Sequence, residues 1–270
     1  MPIFTYNDIN INYILEGNGK SLVLIPGIGQ KLTGWFYQIP FFKQKMKVIA
    51  IDNRGVGKSS RPNYPYTMEM FILDLKNLLN YLNIQDKIHL CGHSLGGMIA
   101  QQFTLRYPNK VKTLILIATA AYIDPSFLFD QIKTNNQNYN SERVYKAFLK
   151  MLPALYSRPF RKKLKEKTNL FERLKDDWME NSTRGQDFIN PGNAVLEHDT
   201  RNSLYKIKQP TLIIASKKDR LQSVSNSHVI YDKVPNAELV ILDDLGHLFN
   251  IEDPEKINNI IWNFIIKHNE

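Results

Sequence analysis

Three side chains in this sequence could together attack an acyl carbon: Ser94, Asp219 and His247. A serine hydroxyl is a poor nucleophile alone and needs a base to take its proton, and that base needs a third group to orient it. Ser94 stands in Gly92-His93-Ser94-Leu95-Gly96, which has the form G-x-S-x-G. The residues before it, Ile88-His89-Leu90-Cys91, form a short apolar run suited to a buried strand. After it, Leu95, Met98, Ile99, Gln102, Phe103 and Arg106 recur at spacings of three and four, a helical pattern. A strand that breaks into a helix around one serine holds that serine in a strained turn and lifts its hydroxyl clear of the sheet. Gly92, Gly96 and Gly97 are expected there because side chains would collide as strand and helix meet. The Leu95 amide, at the helix N-terminus, is expected to face an oxyanion formed on Ser94.

The other elements must bring the remaining groups to the same edge. Residues 2–6 and 10–15 read as a hairpin, and Ser21 to Ile25 as a core strand. That strand runs into Pro26-Gly27-Ile28-Gly29-Gln30, whose bare backbone lets the Ile28 amide serve as a second oxyanion donor. Val48 to Ile51 is the next strand, followed by Asp52-Asn53-Arg54-Gly55-Val56-Gly57-Lys58-Ser59. Its tail imitates a phosphate-binding loop, but Asp52 stands where glycine is required, and Ser60-Arg61-Pro62-Asn63-Tyr64-Pro65 follows instead of a helix. A tight loop braced by Asp52 and Arg54 is expected instead. Thr67 caps a helix to Leu82, and Val111 to Ala118 is a further strand. Asp219 follows a strand at Thr211 to Ala215, Ser223 to Val234 reads as a helix, and His247 follows a strand at Ala237 to Leu242. Pro254 opens a closing helix. Strands alternating with helices predict an α/β fold, a mostly parallel central sheet flanked by helices. Loops at the carboxyl edge of such a sheet hold ligands.

Between about Tyr122 and His198 the core-strand rhythm stops, and helical stretches rich in charges and large apolar residues take over. These predict a helical lid, residues 122–196, inserted into a core domain of residues 1–121 and 197–270. The lid is expected to give a pocket its apolar wall.

Composition bounds the partners. The 270 residues suffice for one large α/β domain, and 43% hydrophobic content argues against disorder. The single cysteine, Cys91, excludes an internal disulfide framework. The N-terminus has no signal-peptide pattern, and the longest apolar run, Leu114 to Ile123, is too short for a bilayer, so a cytoplasmic location without membrane insertion is expected. The net charge of +9 is spread along the chain except for Arg158, Arg161, Lys162, Lys163, Lys165 and Lys167, which read as a solvated helix face. No nucleic-acid motif accompanies it, and no nucleic-acid partner is expected. The histidines show no ligand spacing, so no metal or other cofactor is implied. Sequence leaves the oligomeric state open, a homo-oligomer included.

The chain order is Ser, Asp, His. With Pro26-Gly27-Ile28-Gly29, the 52–59 loop, Gly92-His93-Ser94-Leu95-Gly96-Gly97, Asp219 and Gly246-His247, the chain resembles, over its full length, the α/β-hydrolases of the lidded esterase, lactonase and C–C hydrolase branch. It departs at Pro26, where that family often has a histidine that braces the loop. The resemblance implies a serine hydrolase with Ser94 as nucleophile, His247 as base, Asp219 as orienting acid and the Ile28 and Leu95 amides as oxyanion hole. Asp124 is a second position at which some relatives place the acid. His93 is expected to be a structural hydrogen-bonder. The implied substrate is a small carboxylic ester. A lactone, a C–C diketone, or a slow-turnover ligand-sensing receptor on the same triad are the alternatives.

Overall fold

The computed structural model describes residues 1–124, 140–181 and 186–269. Its centre is an eight-stranded sheet: β1 (Ile3–Tyr6), β2 (Ile9–Glu16), β3 (Ser21–Ile25), β4 (Lys47–Ile51), β5 (Ile88–His93), β6 (Val111–Ile117), β7 (Thr211–Ser216) and β8 (Ala237–Leu242). The spatial order is β1-β2-β4-β3-β5-β6-β7-β8. The hairpin strands β1 and β2 pair antiparallel, β2 also pairs antiparallel with β4, and every other neighbouring pair is parallel. Strands β3, β5 and β7 are buried along their whole length, as sheet covered on both faces must be.

Helices cover both faces. One core joins Val23, Ile25, Leu90 and Leu116 to α2 (Met68–Tyr81) and α3 (Leu95–Arg106). The other joins Leu22, Leu24, Cys91 and Ile115 to the short α1 (Gln38–Phe42) and, from the C-terminal end of the chain, Ile257, Ile261, Phe264 and Ile265. Alternate residues of one strand thus feed opposite cores. Thr67 caps α2 as expected, its hydroxyl accepting from the Met70 amide. Helix α3 departs from a one-sided stripe: Gln101 and Thr104 are buried and Arg106 is exposed. The cause is its position against β3, β5 and β6 at the centre of the molecule.

Among the described residues, four α-helices lie between β6 and β7: α4 (Ser141–Leu155), α5 (Arg158–Glu166), α6 (Thr168–Asn181) and α7 (Gln186–Glu197). Phe148, Tyr156, Phe160, Leu164 and Leu174 form a small core of their own, which continues into Leu248 and Ile251 beside the last strand. The chain enters and leaves this segment side by side, at a bridge between Tyr122 and Asp199 and a Thr200 amide bond to the Ala121 carbonyl of 2.9 Å. After β7 come α8 (Val224–Tyr231), shorter than the pattern suggests, then α9 (Phe249–Glu252) and α10 (Pro254–Lys267) beyond β8. The expected lid aromatics Phe127 and Phe129 lie outside the described residues.

Candidate active site

Ser94 lies between β5 and α3 with φ 54° and ψ −117°, a left-handed conformation that costs a non-glycine residue about 1–3 kcal/mol. The surroundings fix it there. Its amide donates to the Ile117 carbonyl at 2.9 Å, and its carbonyl accepts from the Thr119 hydroxyl at 2.7 Å and the Gly97 amide at 2.9 Å. The three expected glycines are steric necessities. A methyl group on Gly92 would lie 2.1 Å from the Gly96 oxygen, one on Gly96 2.2 Å from the Ile25 oxygen, and one on Gly97 2.6 Å from Thr119.

Asp219 and His247 meet at the same edge, beyond β7 and β8. The His247 Nδ1–H donates to Asp219 Oδ2 at 2.8 Å, with both residues buried. A carboxylate accepts only, so this bond places a proton on Nδ1, and in the neutral ring Nε2 then carries the lone pair. The other carboxylate oxygen accepts from the Leu221 and Gln222 amides at 2.8 and 2.9 Å, which fixes the acid. Ser216 straps the two loops together, its hydroxyl donating to the Leu245 carbonyl and lying 3.3 Å from the Leu242 carbonyl. Asp124 forms no part of this Asp219–His247 bond.

His93, the neighbour of Ser94, reaches across the site. Its Nε2 lies 3.1 Å from the His247 carbonyl, its Nδ1 lies 3.0 Å from Gln30 Oε1, and its ring stands 4.7 Å from that of His247. Burial pushes the His93 imidazole down to about 3, so it is neutral near pH 7. Both facing atoms are carbonyl oxygens, so the one proton of a neutral ring serves one of them at a time.

The loop after β3 passes directly under the serine: a methyl on Gly27 would sit 3.2 Å from Ser94 Cβ. Gln30 Oε1 accepts from the Gly27 amide at 2.8 Å, and Asn53 Nδ2 donates to the Pro26 carbonyl at 3.0 Å. Gln30 and Asn53 therefore supply the bracing that the departure at Pro26 put in question. Asp52 braces as expected, accepting from the Leu32 amide at 2.7 Å, Asn12 Nδ2 at 2.6 Å and the Lys58 amide at 3.0 Å. Burial raises its carboxyl above the usual range. Lys58 thus supplies an amide to Asp52 rather than a phosphate cradle. Arg54 braces at longer range than expected. It forms a two-bond pair with Asp74 of α2, Nε to Oδ2 and Nη2 to Oδ1 both at 2.6 Å, joined by the Tyr6 hydroxyl.

A sequence profile described as the alpha/beta hydrolase fold matches residues 20–254. The chain belongs to the alpha/beta hydrolase family. Among its relatives, 3-oxoadipate enol-lactonase 2 of Acinetobacter baylyi is 26% identical, with 97% of each chain covered. A poly(3-hydroxyalkanoate) depolymerase of Ectopseudomonas oleovorans is 31% identical over 90% of this chain and 83% of its own. A hydrolase from Pseudomonas aeruginosa of known structure superposes with a TM-score of 0.87 at 28% identity, covering 98% of this chain and 97% of the other.

On this hydrolase scaffold the five expected site residues lie at one sheet edge: Ser94 and Leu95 after β5, Ile28 after β3, Asp219 after β7 and His247 after β8. The Ile28 and Leu95 amides make no hydrogen bond to another described residue. Two loop residues escape sequence reading. Gln30 and Lys31 act through tertiary contacts, the Lys31 ammonium reaching Glu180 at 2.6 Å and Asp177 at 3.0 Å on α6. Phe188 of α7 lies over Gly29, its ring edge 3.3 Å from where a methyl would stand. Among the described residues no group of three or more His, Cys, Asp or Glu could hold a metal ion, and no helix is long and apolar enough to cross a membrane.

Proposed function

We propose that this hydrolase cleaves small carboxylic esters through an acyl-enzyme on Ser94. The observation that carries the reading is the 2.8 Å bond from His247 Nδ1 to Asp219, which sets the base tautomer on the edge that bears the strained serine. His247 Nε2 takes the Ser94 proton as Oγ bonds to the acyl carbon, and the carbonyl electrons move onto oxygen. The Ile28 and Leu95 amides hold that oxyanion, each worth about 3 kcal/mol in such a site. The imidazolium, stabilised by Asp219, returns the proton to the departing alcohol. Water, deprotonated by the same ring, then releases the acid and restores Ser94.

Residues 122–196 act as the lid in this reading, with Phe188 beside the oxyanion loop as part of its apolar wall. A lactone is an internal ester and runs through the same steps. The likeness to an enol-lactonase over 97% of both chains favours that second reading. The test is a panel of 4-nitrophenyl acyl esters and lactones with wild type and Ser94→Ala. Sustained turnover that disappears in Ser94→Ala supports the hydrolase, and the favoured leaving group decides between ester and lactone. One product equivalent without steady turnover would refute the enzyme in favour of a slow-turnover receptor.

A further inference from the structure

Glu252 is a carboxylate that the mechanism does not use, yet it lies five residues after the base. At the end of α9 it folds back over its own turn. Its Oε1 accepts from the Gly246 amide at 2.9 Å and from the Ser157 amide at 2.7 Å, and its Oε2 accepts from the Ser157 hydroxyl at 2.6 Å. Gly246 immediately precedes His247. Ser157 is the N-cap of α5, its oxygen also accepting from the Phe160 amide at 3.3 Å. One side chain therefore joins the helical segment to the loop that carries the base.

A second tie lies on the other side of His247. The Leu248 amide donates to the Leu155 carbonyl, the last residue of α4, at 3.0 Å. Leu248 and Ile251 are packed into the small core of Phe148, Tyr156, Phe160 and Leu164. Both residues flanking His247 are thus tied to the α4–α5 junction, Leu248 directly and Gly246 through Glu252, and the approach is close: a methyl on Gly246 would lie 2.6 Å from the Ser157 amide nitrogen and 2.7 Å from Glu252 Oε1.

We propose that Glu252 is a positioning residue that transmits the seating of the α4–α5 junction to His247, so that the base is aligned when the helical segment is docked. The proposal rests on His247 being the base. Burial raises the Glu252 carboxyl above its usual range, while the three bonds from Ser157 and Gly246 and the nearby Arg161 act in the opposite direction. A carboxylate so enclosed is costly to keep unless its bonds matter to the fold or to the site.

The experiment measures kcat and KM for 4-nitrophenyl butyrate in wild type, Glu252→Gln, Glu252→Ala, Ser157→Ala, Ser157→Ala/Glu252→Ala and Ser94→Ala. Values are normalised to enzyme titrated with a fluorophosphonate, except for Ser94→Ala. Misplacing a catalytic group lowers kcat by about tenfold to a hundredfold, and that is expected for Glu252→Ala with KM changed less than about threefold. Glutamine keeps an oxygen for the two amides and a donor for the Ser157 oxygen, so Glu252→Gln is expected to stay within about threefold of wild type. Ser157→Ala is expected to cost about fivefold alone and nothing further in the Glu252→Ala background. A wild-type kcat in Glu252→Ala beside an inactive Ser94→Ala overturns the proposal, as do losses that multiply in the double variant. Should Glu252→Ala not fold, a wild-type kcat in Ser157→Ala overturns it. Full turnover by Ser94→Ala refutes the proposed function instead.

Discussion

Replacing Asp219 by asparagine tests the proton assignment with almost no change of shape. Asp219 Oδ1 accepts two backbone amides, from Leu221 and Gln222, and Oδ2 accepts the His247 ring proton. Asparagine has one oxygen and one NH2 group for these two sides. Turning the NH2 toward the amides would leave two buried donors without acceptors, at about 1–3 kcal/mol each. The oxygen therefore stays with the amides, and the NH2 faces His247 Nδ1. Facing a donor, Nδ1 must carry the lone pair, so the ring proton moves to Nε2, the atom that should accept the Ser94 proton. The expected loss in kcat is about 10⁴-fold, or about 5.5 kcal/mol of barrier. The assay is the steady-state rate on 4-nitrophenyl butyrate, with ¹⁵N chemical shifts of the His247 ring to read the tautomer and a thermal melt to show that the fold is retained. A folded Asp219→Asn protein within tenfold of wild type would refute the reasoning.

Other perturbations bear on the scaffold. Asp74→Ala leaves Arg54 buried without its two-bond partner, and the expected loss is about 3–5 kcal/mol in urea unfolding; a loss below about 1 kcal/mol contradicts it. Gly96→Ala drives a methyl against the Ile25 carbonyl at 2.2 Å, so the elbow must open; soluble protein with wild-type kcat and melting temperature contradicts it. Burial lowers the His198 imidazole from 6.5 to about 4. Between those values the unfolded chain binds the proton and the folded chain does not, so His198 costs stability progressively as pH falls. Relative to His198→Gln, wild type is expected to lose about 1.4 kcal/mol per pH unit there, and parallel urea-stability curves contradict this.

The core strands were legible because they are short apolar runs, and β3, β4 and β8 run directly into Pro26, Asp52 and Asp243. The elbow was legible because strand, serine and helix are contiguous, and its glycines have one steric explanation. The meeting of Asp219 and His247 at one sheet edge was legible through a common position, each a few residues beyond a core strand. Residues that act through a distant partner were not legible. Gln30 replaces an expected brace only because Gly27 folds back onto it and His93 arrives from another strand. A buried Asp74 within an apolar helix pattern gives no sign of Arg54 or Tyr6. Glu252 reads as one more surface acid until Ser157, 95 residues earlier, is placed against it. The short α1 and the 3-10 turn at Leu32–Trp35 have too few residues for a periodic signal.

The most direct measurement is labelling with a fluorophosphonate probe, followed by intact mass and peptide mapping. An activated serine beside a base and two amide donors is expected to take up one equivalent, all of it on the peptide bearing Ser94, with no uptake in Ser94→Ala. Labelling elsewhere, or equal labelling of the Ser94→Ala protein, would contradict the assignment of Ser94 as the nucleophile.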